Sequence, residues 1–306
     1  MEDKFKNTII GAVSVIVENS NHNNDLTGQP RAVDGIFTAS SASLKAYVKT
    51  MLVRQGEKIF GVKTVDKNGK INDIISRIDN CEIQTTRDFF NFLDLKFFGH
   101  TILHSKKRPK SAINGPLNVE YGKNIFRENE YTTHQITGPF PSNNGEDSND
   151  AGTVGTDVRV DKANYLHSFT FSPMNIERDT IMQTDAFKND IPYFTSKEIE
   201  IFKHGFSNCV GSTVNGSYSS VSKSGTKIGL AVFITLREDC KYSISIKDNI
   251  KCGEEFNEYD LTDLFKKIDK NRDLIESVDI RYTEDVVTFT HDLPEKDKLY
   301  NISDRG

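Results

Sequence analysis

The chain has 306 residues, enough for one large domain or two ordinary ones with a sizeable buried core. Its net charge of −5, from 39 basic and 44 acidic residues, excludes a protein that grips nucleic acid with its whole surface and leaves only local basic footprints open. The four cysteines, Cys81, Cys209, Cys240 and Cys252, form no CxxC and no zinc-finger spacing. The amino end MEDKFKN lacks an apolar signal core, and no apolar run reaches membrane-spanning length. The expectation is a cytoplasmic protein with reduced thiols and no membrane partner.

Residues 9–17 form a nearly continuous apolar run, the pattern of a strand buried on both faces. The stretch between Ser20 and Gly35 is filled with Asn, Asp, Gly and Pro and reads as a polar loop carrying Asp25 and Arg31. Leu44, Tyr47, Val48, Met51 and Leu52 then follow helical spacing on one face. Ser40, Ser41 and Ser43 crowd the start of that helix, where hydroxyls cap free N–H groups and the dipole favours an anion. Lys45 and Lys49 stand i, i+4 as a basic stripe.

Residues 56–87 are polar, with only a weak pattern at 75–83, and read as an insertion. The aromatic run 88–98, DFFNFLDLKFF, predicts a packed helix. Lys106, Lys107, Arg108 and Lys110 are the densest basic cluster, open to two readings, a solvated loop or a phosphate contact. Gly115 and Pro116 turn into a short strand at 117–121.

From 131 to 160 the ends carry β-formers, while 139–152 is rich in Pro, Asn, Gly, Ser and acids, which predicts an exposed hairpin. Tyr165, His167, Phe169 and Phe171 alternate in a strand, and Thr195 with Glu198 signals a capping box for a helix to about residue 206. A Gly/Ser-rich loop with Lys223 and Lys227, suited equally to a phosphate or to plain connection, leads into a strand at 228–236. The end of the chain offers SISIK at 243–247, a helix at 261–268 and strands at 278–282 and 286–290. The fold class expected is α+β: a β-α-β-β-α-β palm of RRM or ferredoxin-like type, split by insertions.

Chemical motifs are sparse. His100 and His104 make a two-His face if 98–105 is helical, but no third ligand or HExxH glutamate accompanies them, so no metal and no other cofactor is expected. GxSxG, Walker A and DxD motifs are absent, and no catalytic set is assigned.

The segments Asn19 to Asp25 before Pro30-Arg31, SSASLKAYVK at 40–49, FFGH with GPLNVEYG, Thr132-Thr133-His134-Gln135 before a variable excursion, and SKSGTKIGLAVFITL occur in an order that resembles the Cas-seven family. These are the backbone subunits of CRISPR Cascade complexes. The resemblance implies a palm at 1–55 and 158–306, an inserted finger region at 56–130 and a β-hairpin thumb at 131–157. It implies a type I subunit nearest the I-B group, non-catalytic, that binds guide RNA phosphates without reading sequence as a helical homo-oligomer. Its partners would be guide RNA, target DNA reached through the guide, and other Cascade subunits. Phosphate contacts are expected from Arg31, Ser40, Ser41, Ser43, Lys45 and Lys49, with Lys106, Lys107, Arg108 and Lys223; the thumb residues would be Thr133, His134, Gln135 and Phe140, the last a candidate base wedge. The thumb tip is acidic, with Glu146, Asp147 and Asp150. Two alternatives stand beside this reading: a type III-like subunit that cleaves target RNA with Asp25, and an unrelated soluble α+β binding protein.

Overall fold

The structure, a computed structural model, describes residues 3–102, 111–141, 151–176, 191–214, 225–238, 240, 244–295 and 299–304. In chain order the strands are β1 (Lys4–Phe5), β2 (Ile9–Ser20), β3 (Ala32–Val33), β4 (Ile36–Ala39), β5 (Gly99–Ile102), β6 (Ser111–Asn114), β7 (Leu117–Val119), β8 (Gly122–Asn124), β9 (Tyr131–Pro141), β10 (Ala151–Phe171), β11 (Phe194–Thr195), β12 (Thr226–Leu236), β13 (Lys251–Cys252), β14 (Glu258–Asp260), β15 (Ile275–Tyr282), β16 (Thr288–Phe289) and β17 (Tyr300–Asp304). The α-helices are α1 (Ser41–Arg54), α2 (Ile74–Asn80), α3 (Leu93–Phe98), α4 (Ser196–Val214) and α5 (Thr262–Lys270). This is a mixed α+β chain, as expected.

Among the described residues the main sheet runs β17-β15-β12-β2-β10-β8-β4-β3, with β7 and β9 also paired to β10. Its neighbours are antiparallel except β15 and β17, which run parallel. β2 lies between β12 and β10 and is buried on both sides, as its unbroken apolar run predicts. Ile9, Val13, Val15 and Val17 join the core under α1 and α4, with Phe169, Phe202, Phe206 and Phe233. Ile10 and Ala12 face the opposite core, with Val232, Ile234, Leu264, Ile268, Val278 and Ile280. A Cβ at Gly11 would run into the Phe169 ring and the Val232 carbonyl, so a glycine is needed where the strands cross that ring.

β10 is the longest strand. Its second half pairs with β2 and its first half with β9, and Val160 faces both Ser20 and Tyr131. The β9–β10 hairpin is thus the outward continuation of a core strand, and residues 142–150 between its strands lie outside the described set.

A third core, of Phe60, Ile78, Ile83, Phe89, Leu95 and Ile102, sits within the segment expected as an insertion. The same segment's β7 and β8 pair with β10 in the main sheet. The aromatic run at 88–98 divides into a 3-10 helix (Thr86–Asn91) and α3, separated at Phe92, whose extended backbone interrupts the helix. Ile244 and Ile246 are buried, and a 3-10 turn follows at Lys247–Asn249. The two-His helical face is likewise corrected. Gly99, with φ +73°, ends α3, and His100 lies in β5, paired with β6. His104 is outside the described residues, among which no three His, Cys, Asp or Glu side chains gather as metal ligands.

Candidate nucleic-acid interface

The interface begins at the loop between β2 and α1. Asp25 accepts from the Thr27 N–H (2.8 Å), the Thr27 hydroxyl (2.7 Å) and the Gln29 N–H (3.1 Å), closing a tight turn. The Thr27 hydroxyl leads the contacts that hold its carboxyl below the usual aspartate range. Asn24 and Pro30 bridge across the base of this turn. Arg31 follows, donating from Nε to the Asn24 carbonyl at 3.0 Å. Asp34 and Gly35, with φ of 52° and 76°, then make the two-residue turn that joins β3 to β4.

The loop is fastened to the start of α1. The Asn23 side-chain oxygen accepts the Ser40 N–H at 2.9 Å, so Arg31 and Ser40 are attached to adjacent residues, Asn24 and Asn23. Ser40 is the N-cap: its hydroxyl accepts the Ser43 N–H at 3.3 Å, and the Ser43 hydroxyl donates to the Ser40 carbonyl at 2.7 Å. No acidic residue lies in the first turn, so the positive end of the helix is left uncompensated. Ser41, Lys45 and Lys49 follow at intervals of four, on one face. The adjoining face buries Leu44, Tyr47, Val48, Met51 and Leu52, the set expected from spacing.

Both lysines sit against Phe98, with Lys45 Nζ 5.2 Å and Lys49 Nζ 5.8 Å from the ring centre. Lys49 also reaches the buried carboxylate of Asp94 at 3.4 Å. The Lys45 pKa is lowered first by burial and then by the charge of Lys49. Beneath the loop, His22 is stacked among Tyr47, Tyr165 and His167, with ring centres 5.3 to 5.8 Å away.

The hairpin is rooted beside this loop. Asn21 donates to the Val158 carbonyl at 2.9 Å, the Phe37 N–H donates to the Asn129 side chain at 2.7 Å, and the Phe37 and Tyr131 rings lie 6.2 Å apart. Thr133, His134 and Gln135 are exposed on β9, opposite Val158, Asp157 and Thr156. Phe140 is in the same strand, and its side chain is outside the described set, as are Lys106, Lys107, Arg108, Lys110 and Lys223. The loop, the serines and the two lysines are therefore brought together.

The sequence reading missed Asn21 and Asn23, which fix the loop, and Asp94, hidden in an aromatic run. It also missed the Asp34-Gly35 pair, a legible hairpin signal. A separate groove of about 730 Å³ is lined by Tyr121, Lys123, Lys247 and Lys251, but the last two lysines pair with Glu120 (3.5 Å) and Asp263 (2.6 Å).

An α+β protein that gathers serine hydroxyls, an uncompensated helix start and basic side chains beside a rooted hairpin has the chemistry to hold an extended anion. The family profile of CRISPR-associated protein Cas7 matches residues 7–266. The chain belongs to that family. No curated protein matches it. A chain of a solved "CRISPR RNA-guided surveillance complex, pre-nicking" is similar over 98% of this chain and 96% of its own, with a TM-score of 0.56 and 12% identity. A chain of a second "CRISPR RNA-guided surveillance complex" covers 92% and 95%, with a TM-score of 0.47 and 13% identity. At these identities the first likeness speaks for the fold. Among the described residues no helix is long and apolar enough to cross a membrane.

Proposed function

We propose that this protein is a non-catalytic backbone subunit of a type I Cascade complex of the I-B group, working in the cytoplasm. It holds guide RNA by its phosphates as a helical homo-oligomer, beside other Cascade subunits, and presents the bases to target DNA. The observation that carries this reading is the acid-free, serine-capped start of α1, joined through Asn23 and Asn24 to Arg31, in a member of the Cas7 family. A subunit that accepts any guide must hold backbone and leave bases free, a task for hydroxyls, N–H groups and cations. Arg31, Ser40, Ser41, Ser43, Lys45 and Lys49 form the proposed phosphate set, with Lys106, Lys107, Arg108 and Lys223 as further contacts.

The sheet order β12-β2-β10, with α1 and α4 on one face, supports an RRM-like palm at 1–55 and 158–306. The separate core around Phe89 supports a finger at 56–130, and the rooted hairpin supports a thumb at 131–157 that carries Thr133, His134, Gln135 and Phe140 toward the guide. Asp25 is engaged as a turn former, which favours the non-cleaving subunit over a type III-like nuclease.

The test is to express the chain with its matching CRISPR array and other Cascade subunits and to follow the 260/280 nm ratio across a sizing column. With no Trp and ten Tyr the protein absorbs weakly, so bound RNA dominates the signal. A high-mass peak yielding RNA of uniform length is expected. A monomer with a protein-like ratio in the presence of every partner refutes the reading.

A further inference from the structure

α1 carries two lysines one turn apart whose surroundings differ. Both ammonium groups share the Phe98 ring, but only Lys49 has a carboxylate partner, at 3.4 Å from Asp94. The Asp94 side chain has no exposed surface, while Lys49 is 24% exposed. The Asp94 oxygens also accept the Phe60 and Gly61 N–H groups, each at 2.8 Å, which fixes the carboxylate against the segment before α2. A Cβ at residue 61 would stand 2.6 Å from Lys49 Nζ and 2.8 Å from Asp94 Oδ2. The ammonium therefore occupies a corner that only a glycine backbone leaves open. Among the described residues Lys45 has no ion pair.

We propose that Asp94, Gly61 and Phe98 sort the two lysines: Lys49 is a positioning residue that ties the 58–61 segment to α1, and Lys45 carries the phosphate contact. This rests on the RNA-binding reading above, and it sets Lys49 apart from the phosphate set. The physical reason is the cost of exchange. If Lys49 moved to a phosphate, the buried Asp94 would lose its cation, whereas Lys45 leaves nothing unpaired behind. The tie also links the inserted segment to the helix that meets RNA, so Lys49 acts on the interface through the placement of its neighbours.

The two roles separate in the salt dependence of binding. Each lysine that neutralises a phosphate of single-stranded RNA contributes about 0.7 to the slope of log K against log salt, about 2.6-fold in affinity between 50 and 200 mM. Binding of the full chain to fluorescent guide RNA would be measured across that range by anisotropy. Lys45→Ala should lower the slope by about 0.7. Lys49→Met should leave the slope unchanged while lowering the melting temperature, and Asp94→Asn, which frees Lys49, should steepen it by about 0.7. Equal loss of slope in Lys45→Ala and Lys49→Met overturns the sorting. A salt-independent or absent RNA signal in the wild-type chain overturns the RNA-binding reading itself. If Asp94→Asn does not fold, the two lysine variants still decide.

Discussion

Acidification from pH 7 to pH 5 should destabilise this protein through two buried histidines. His167 lies wholly buried in β10, and its Nδ1 meets the Glu120 carbonyl at 3.1 Å, so the proton sits on Nδ1. Nε2 has no partner among the described residues and packs against Gly122, which leaves no room to solvate a charge. Burial accordingly pushes the His167 pKa down to about 4, and burial does the same to His100, also to about 4. Because the folded pKa lies below the unfolded value near 6.5, the unfolded chain takes up protons first. The stability these groups contribute is full above about pH 6.5 and is lost as the pH falls from there toward about 4. At pH 5 the loss is about 1.36 kcal/mol over each of about 1.5 pH units, or about 2 kcal/mol per histidine. Together that is about 4 kcal/mol, a large part of the 5–15 kcal/mol that typically holds a domain. At about 2 °C per kcal/mol for a chain of this size, the melting temperature should drop by roughly 8 °C. His204, pushed down by burial and by Arg281, works in the same direction. The depressed aspartates act only at lower pH, near and below their ordinary 3.8. The assay is thermal unfolding at pH 7 and pH 5 for the wild type and His167→Asn, whose amide retains a donor for the Glu120 carbonyl. The variant should be less stable at pH 7 and lose about 2 kcal/mol less on acidification. An unchanged pH dependence would refute the account. Since His167 meets the His22 ring edge-on at 5.8 Å, the acid-sensitive site also underlies the loop that carries Arg31.

Two substitutions probe other parts of the chain. Ser40→Ala removes the N-cap and should cost about 1 kcal/mol by denaturant titration, whereas Ser40→Asp keeps an acceptor for the Ser43 N–H but repels a phosphate; it should therefore retain stability while weakening guide binding. Equal RNA affinity in Ser40→Asp and wild type would remove this helix start from the interface. Asp279→Ala strips the shared carboxylate from Arg281 (2.5 Å) and Lys203 (3.5 Å) between β15 and α4, and should cost about 3–5 kcal/mol by the same titration. A loss below about 1 kcal/mol would mean that Glu200, which contacts both cations, compensates.

What could be read from the sequence was what repeats locally. The apolar run of β2, the five-residue face of α1 and the Thr195–Glu198 capping box each follow from side chains within a few residues of one another. The capping box opened a helix that runs to Val214, beyond the expected end, because Cys209 and Val210 still pack into the core. What escaped was set by distant partners. β8 is three residues long and exists because β10 pairs with it. β17 was missed for the same reason, its register being supplied by β15. Asp94 looked like one acid in an aromatic helix, and its meaning depends on Lys49 and the backbone at 60–61, which no local spacing places beside it. The Asp34-Gly35 turn was different, since its signal was local and was absorbed into a polar loop.

Under the proposed reading, the covering of the sheet constrains where a guide could lie. An open sheet face with exposed aromatics is one way for a fold of this kind to bind single-stranded RNA by stacking. That route is closed along β2, whose residues enter one core beneath α1 and α4 and another against α5 and β15. The proposed path therefore runs past the end of α1 and the β2–α1 loop. There the chain offers hydroxyls, a guanidinium and Lys45, and few cations in total. A modest set of this kind suits an assembly in which many copies share one strand. Each copy need supply only a few contacts, because neighbours already bound raise the effective concentration of the next segment. In such an assembly the hairpin's attachment matters as much as its tip. β10 runs from its pairing with β2 into the hairpin, and Asn21 bonds Val158 beside the loop proposed to bind phosphate. Under the proposed reading, a displacement of the hairpin by RNA or by a neighbouring copy would thus be resisted by the central sheet and felt at Arg31, which would couple the proposed phosphate contacts to the position of the hairpin.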